Sequence, residues 1–233
     1  MNFQVDQTVG EIVAAFPASA QLFQRHGIDF CCGGHRPLKD ALAQKGLAAE
    51  AFLAELQAAH AAAQARQERG TDWRTASYAE IIDQIVGVHH QYLKSELPVI
   101  SGYVTKIYYV HGQNHAELAA LHRQFHQLKL ELEQHLHDEE ARVFPLVLAY
   151  AQSGSRADLE AAVACLDELE QEHQGAGDLL LAMRETTGGY ALPADACTTY
   201  ALTFQKLQEL EADMFQHVHL ENNVLFPRLR AAR

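Results

Sequence analysis

Across the last two thirds of the chain, apolar residues recur at alternating steps of four and three. Leu121, Phe125, Leu128 and Leu132 form one such stripe, and Leu207, Leu210 and Met214 another. This spacing places the apolar side chains on one face of an α-helix. Glycine and proline fall between the periodic stretches, where helices start and stop. The pattern predicts four long helices, at about 77–112 (bent near Pro98 and Gly102), 115–150, 156–187 and 195–230. Short connections between long helices make them an antiparallel up-down bundle. The first part of the chain reads differently. Thr8 and Glu11 form a capping box for a short helix, Pro17 restarts the chain, and Gly27 ends a second helix after His26. The run from Phe30 to Pro37 is a turn, and short helices follow at about 37–45 and 48–68. Gly70-Thr71-Asp72 marks a boundary, so the expected fold class is all-α: a small helical module at 1–70 and the bundle at 71–233.

Polar residues interrupt the apolar stripes at matching places. The stripe of the second long helix continues through His135 and Glu139, and that of the fourth through His217 and Glu221. Residues four apart share a helix face, whereas His137 and His219, two away, point elsewhere. An unpaired carboxylate on a buried seam costs several kcal/mol or takes up a proton; a cation removes that cost. The third helix places His173 on its stripe, 44 residues before His217, and the first offers His90, 45 residues before His135. His89 competes with His90; periodicity does not exclude it, and the near-equal spacings favour His90. Six side chains, His90, His135, Glu139, His173, His217 and Glu221, can meet at one level of the bundle. Four imidazoles and two carboxylates suit two ions, each with two histidines and both glutamates bridging. A ligand set of nitrogen and oxygen without thiolate fits non-haem iron best, with manganese or zinc as alternatives. An oxo or hydroxo bridge would bring each ion to about five ligands and leave a position open.

Composition narrows the field. The formal net charge of -12 argues against nucleic-acid binding, and no apolar run approaches the roughly 20 residues of a membrane span. The first residues lack the basic start and apolar stretch of a secretory signal, which makes the cytoplasm the expected location. Four cysteines are too few to staple a chain of 233 residues, while fourteen histidines are unusual. Cys165 and Cys197 read as small core residues. Cys31-Cys32, adjacent in a glycine turn, is either incidental or a redox or exchange site. His26, His60, His115, His122 and His126 read as surface or packing residues.

Two segments carry a family resemblance. His217-Val-His219-Leu-Glu221-Asn222-Asn223-Val224-Leu225-Phe226-Pro227, together with Phe30-Cys31-Cys32-Gly33-Gly34, resembles the RIC family of bacterial iron–sulfur cluster repair di-iron proteins. The resemblance spans nearly the whole chain and implies a hemerythrin-like bundle behind a small cysteine-containing domain. It implies ligands at His90, His135, His173 and His217 with Glu139 and Glu221 bridging, a transfer or redox role for Cys31 and Cys32, and a place for His111 near the centre. It further implies recovery of damaged iron–sulfur proteins after nitrosative or oxidative stress, by donating iron or handling NO. Rival expectations are an enzyme that reduces NO at the di-iron pair and a reversible O₂ or NO carrier or sensor; a homodimer is compatible with each. Oxygen-carrying hemerythrins have a further histidine on the third helix and an aspartate bridge, whereas Gly177 and Glu221 stand here. Ferritin-like sites need two E-x-x-H motifs, and only Glu170-x-x-His173 is present.

Overall fold

A computed structural model describes residues 3–65 and 71–233. The expected continuation of the fourth short helix to 68 and the boundary glycine Gly70 lie outside them. The described residues are all-α; their one β-type pairing is an isolated bridge between Thr8 and Pro37.

Four short helices come first: α1 (Val9–Ala15), α2 (Ala20–Arg25), α3 (Leu38–Gln44) and α4 (Ala49–Ala65). Both halves of the Thr8–Glu11 capping box form, and Gly27 turns the chain at φ +63°. Phe23, Phe30, Leu42, Phe52 and Leu56 give these helices their own apolar core.

The bundle follows. Its first rod is α5 (Tyr78–Gln84), a π-helical turn (Ile85–His90) and α6 (Gln91–His111). The second is α7 (Glu117–Asp138), a π turn (Glu139–Val143) and α8 (Phe144–Ser153). The third is α9 (Arg156–Val163) and α10 (Leu166–Thr186). The fourth is α11 (Thr198–Leu220), a π turn (Glu221–Leu225) and α12 (Phe226–Ala232). Pro98 lies inside α6 without ending it. The third rod is interrupted where one helix was expected, because Cys165 N–H bonds to Ala162 O at 3.2 Å and tightens the chain there.

Packing runs α6 on α7, α7 on α10 and α11 on α6, as in an up-down bundle. The bundle core is in two clusters. One contains Leu93, Leu132, Ala176 and Met214; the other Ile85, Val143, Leu169 and Val224. Each rod passes from one cluster to the other, and the polar positions on its stripe fall between them.

Candidate metal centre

All six side chains expected at the centre are buried, and four of them, His90, Glu139, His217 and Glu221, are fully enclosed. They meet in two groups of four. His90 and His217 bring their Nε2 atoms to 3.2 Å, and His135 and His173 to 3.1 Å. Glu139 Oε2 lies 3.3 Å from His90 Nε2 and 3.4 Å from His135 Nε2. Glu221 lies 3.2 Å from His217 Nε2 through Oε1 and 3.0 Å from His173 Nε2 through Oε2. Each glutamate therefore belongs to both groups. His90 joins these groups and His89 does not.

The three π turns place three of these residues. His90 closes the turn of the first rod, while Glu139 and Glu221 open those of the second and fourth. A π turn widens the helix by one residue and re-aims its side chains, and such turns gather at functional sites. Two are followed by Phe-Pro, with Pro145 and Pro227 at the start of the next helix. Proline has no N–H to bond backwards and crowds the carbonyl four residues earlier, so a widened turn is a natural entry to it.

The outer faces of the rings are also placed. His90 Nδ1 meets Glu140 Oε1 at 2.7 Å, His135 Nδ1 meets Glu172 Oε2 at 2.6 Å, and His173 Nδ1 meets Asn222 Oδ1 at 2.8 Å. Facing these acceptors, each Nδ1 carries the proton and donates, so in the neutral ring Nε2 is a bare lone pair aimed inward. At the His135–His173 end, two such lone pairs and two carboxylate oxygens converge with no donor among them. Both oxygens of Glu139 and Oε2 of Glu221 are buried without a hydrogen-bond partner. Converging acceptors with orphaned carboxylate oxygens fit a cation. The buried carboxylates favour positive charge at this spot, on an imidazole ring as well as on a bound ion. Burial alone would lower the pKa of His135, but Glu139, Glu172 and Glu221 raise it to about 9. His90 is likewise raised by Glu139, Glu221 and Glu140 against its burial. Glu221, despite burial, is held well below the usual carboxylate range by His217 and His173.

The outer partners were not foreseen, yet each neighbours an inward residue in sequence: Glu140 follows Glu139, Glu172 precedes His173, Asn222 follows Glu221. A helix neighbour lies about 100° round, on the flank that faces the next rod, and that adjacency was the available signal.

The cysteine turn lies against the same centre. Asn223 Nδ2 donates to Phe30 O at 3.2 Å and Cys31 O at 2.7 Å, and His219 Nδ1 donates to Phe30 O at 3.3 Å. Burial lowers the pKa of His219 to about 4, which keeps the ring neutral. His137, its counterpart on α7, is exposed. Cys31 is buried, its Sγ 3.1 Å from Asp29 Oδ1 and 3.9 Å from Cys32 Sγ. Burial pushes the Cys31 thiol well above its ordinary range. Cys32 is half-buried, with Sγ 3.7 Å from His173 O, and lines a cavity of about 340 Å³ together with Gly177, Asp178 and Arg184. A second groove, of about 490 Å³ between α7 and α10, reaches His135 and His173.

Two expectations are corrected. His111 ends α6, some 21 residues beyond His90, or roughly 30 Å along the rod at 1.5 Å per residue, so it does not approach the centre. Its Nε2 instead meets Cys197 Sγ at 3.2 Å, and Cys197 is exposed rather than in the core.

Fold and centre together define a hemerythrin-type cation-binding bundle. Residues 81–229 match the hemerythrin HHE cation binding domain, and residues 5–60 match the ScdA_N family, described as a domain of unknown function. The iron–sulfur cluster repair protein YtfE of Citrobacter koseri is 36% identical over 231 residues, covering 99% of each chain. The YtfE proteins of Enterobacter sp. and of an Escherichia coli strain are each 36% identical over 226 residues, covering 97% of both chains. The chain belongs to this YtfE family of hemerythrin-domain proteins. No helix among the described residues is long and apolar enough to cross a membrane.

Proposed function

We propose that this protein repairs iron–sulfur clusters damaged by nitrosative or oxidative stress, using two non-haem iron ions in the bundle. His90 and His217 would hold one ion and His135 and His173 the other, with Glu139 and Glu221 available to both. The observation that carries the reading is the sharing of two buried glutamates between two four-residue groups whose inward atoms are nearly all acceptors. Relatives matching nearly the whole chain are named for iron–sulfur cluster repair, which supports the same role here and makes damaged iron–sulfur proteins the partners.

Bound at this centre, a pair of irons supplies open coordination positions and one-electron redox chemistry. The chain's own residues do the rest. Glu140, Glu172 and Asn222 hold three imidazoles in the tautomer that donates outward and ligates inward. Leu132, Val143 and Leu169, on either side, keep bulk water from the carboxylates. We read residues 1–70 and 71–233 as two units, supported by the separate core of the first helices and by the two family matches. Cys31 and Cys32 are the transfer or redox candidates, since Cys32 lies against the backbone of His173.

A second reading, reduction of NO to N₂O, is favoured by the two groups standing side by side, which would let two NO molecules meet. It requires two electrons and two protons per N₂O, and repeated turnover with an electron donor separates it from iron donation.

The deciding experiment is iron content with optical and Mössbauer spectra of the wild type, Glu139→Ala and Glu221→Ala. Near two irons per chain, with a coupled spectrum lost in both variants, is the expected result. Iron that ignores both glutamates overturns the centre. Unimpaired recovery of damaged clusters by a Cys31→Ser, Cys32→Ser double variant removes the cysteines from the mechanism.

A further inference from the structure

Three of the four imidazoles at the centre are aimed by a hydrogen bond from Nδ1. The fourth, His217, is not: its Nδ1 is buried and has no partner among the described residues. Another contact takes its place. His89 lies flat against His217, the two ring planes 2° apart and their centroids 5.6 Å apart. The stacked ring is itself anchored, because His89 Nδ1 donates to Asp213 Oδ1 at 2.9 Å. Asp213 and His217 are four residues apart on α11 and therefore share a face. One helix thus supplies both the ring at the centre and the carboxylate that clamps the ring stacked upon it. The π turn of the first rod completes the device by letting consecutive residues serve one site, His90 inside it and His89 on its flank.

We propose that His89 is the positioning residue for His217, its ring stack doing for that imidazole what Glu140, Glu172 and Asn222 do for the other three. The inference rests on the reading of the six residues as a di-iron centre. A stack fixes the plane of a ring but supplies no hydrogen bond to raise its basicity. His217 is then the weakest of the four donors, and iron in the His90–His217 half is the more easily exchanged.

The test uses the iron-loaded full chain as wild type, His89→Ala, His89→Phe and Asp213→Ala. Iron release to an excess of chelator is followed in time, with the optical spectrum recorded before release. In His89→Ala, release of about half the iron should accelerate on the order of 10–100-fold, the range for loss of an outer partner of a metal ligand, with an altered spectrum. His89→Phe, which keeps a flat ring but no hydrogen bond, should return both readouts toward wild type, and Asp213→Ala should fall between. Thermal midpoints of the iron-free proteins separate loss of packing from loss of positioning, since packing loss alone moves the midpoint and leaves the spectrum. Unchanged release and spectrum in His89→Ala overturn the inference, as does a His89→Phe chain as defective as His89→Ala. A wild type without iron overturns the centre first and this inference with it.

Discussion

Asn223 spans two parts of the molecule: it sits on the π turn that begins with Glu221, and its amide donates to the carbonyl of Cys31 at 2.7 Å. The segment Glu221-Asn222-Asn223 thus points one residue into the centre, one onto a ring of the centre and one onto the cysteine turn. Replacing Asn223 with alanine leaves Cys31 O with only the longer bond from Gly34 N–H at 3.3 Å, and a lost hydrogen bond costs about 0.5–1.5 kcal/mol. Asn223→Ala should lower stability by that amount in denaturant titrations while retaining iron. It should also speed alkylation of Cys32, read by mass spectrometry, because the turn loses its hold on the bundle. Wild-type labelling rates would show that other contacts seat the turn.

Glycine is needed at some of its positions and merely present at others. A Cβ on Gly34 would stand 2.5 Å from the carbonyl oxygen of Phe30, a backbone atom that cannot swing aside. A Cβ on Gly175, inside α10, would meet nothing within 4 Å. Gly34→Ala should therefore destabilise by about 1–3 kcal/mol, the usual cost of overpacking. Gly175→Ala should stabilise by up to about 1 kcal/mol through helix propensity. Thermal melts of the two variants should shift in opposite directions, and a common direction would refute the argument.

Glu172 holds His135 through a 2.6 Å hydrogen bond without touching the inward face of the ring. Its removal should weaken the His135–His173 half, lowering iron affinity on the order of 10–100-fold in competition with a chelator. Glu172→Gln should lose less, because the amide oxygen still accepts from Nδ1. Equal losses in Glu172→Ala and Glu172→Gln would mean that charge rather than orientation is what Glu172 supplies.

The parts of this site that were legible in the sequence are those governed by the periodicity of one helix. The Leu121–Glu139 and Leu207–Glu221 stripes carry their inward residues at steps of three and four, and the structure buries them in that order. The outer partners depend on how far a side chain reaches to the next rod, which one helix's pattern does not encode. His89 and His90 are ambiguous for the same reason: neighbours lie about 100° apart on a regular helix, and the π turn that brings both to the site breaks that regularity. The repeated H-x-H-x-E motif turns both His137 and His219 away from the centre without showing what either meets. Of the two motif copies, the one on α11 meets the cysteine turn, so His219 is buried against Phe30 while His137 faces solvent.

Cys197 and His111 form a pair far from the centre, with Sγ and Nε2 3.2 Å apart at the start of α11. The amide of Tyr200, the His111 ring and the amide of Thr199 all face the sulfur, and together they bring its pKa from the ordinary 9.0 down to about 7. The thiolate is the nucleophile, so reactivity should rise with pH through about 7 rather than through the range of a free thiol. Cys31, raised by burial, shifts the opposite way. At neutral pH, iodoacetamide should accordingly label Cys197 well before Cys31, with a half-maximal rate near pH 7 by peptide mass spectrometry. His111→Ala removes the second-named contribution but leaves the helix start, so its midpoint should move up only part of the way toward 9.0. A wild-type profile that keeps rising past pH 9, or one that His111→Ala leaves in place, would show that the imidazole does not stabilise the thiolate.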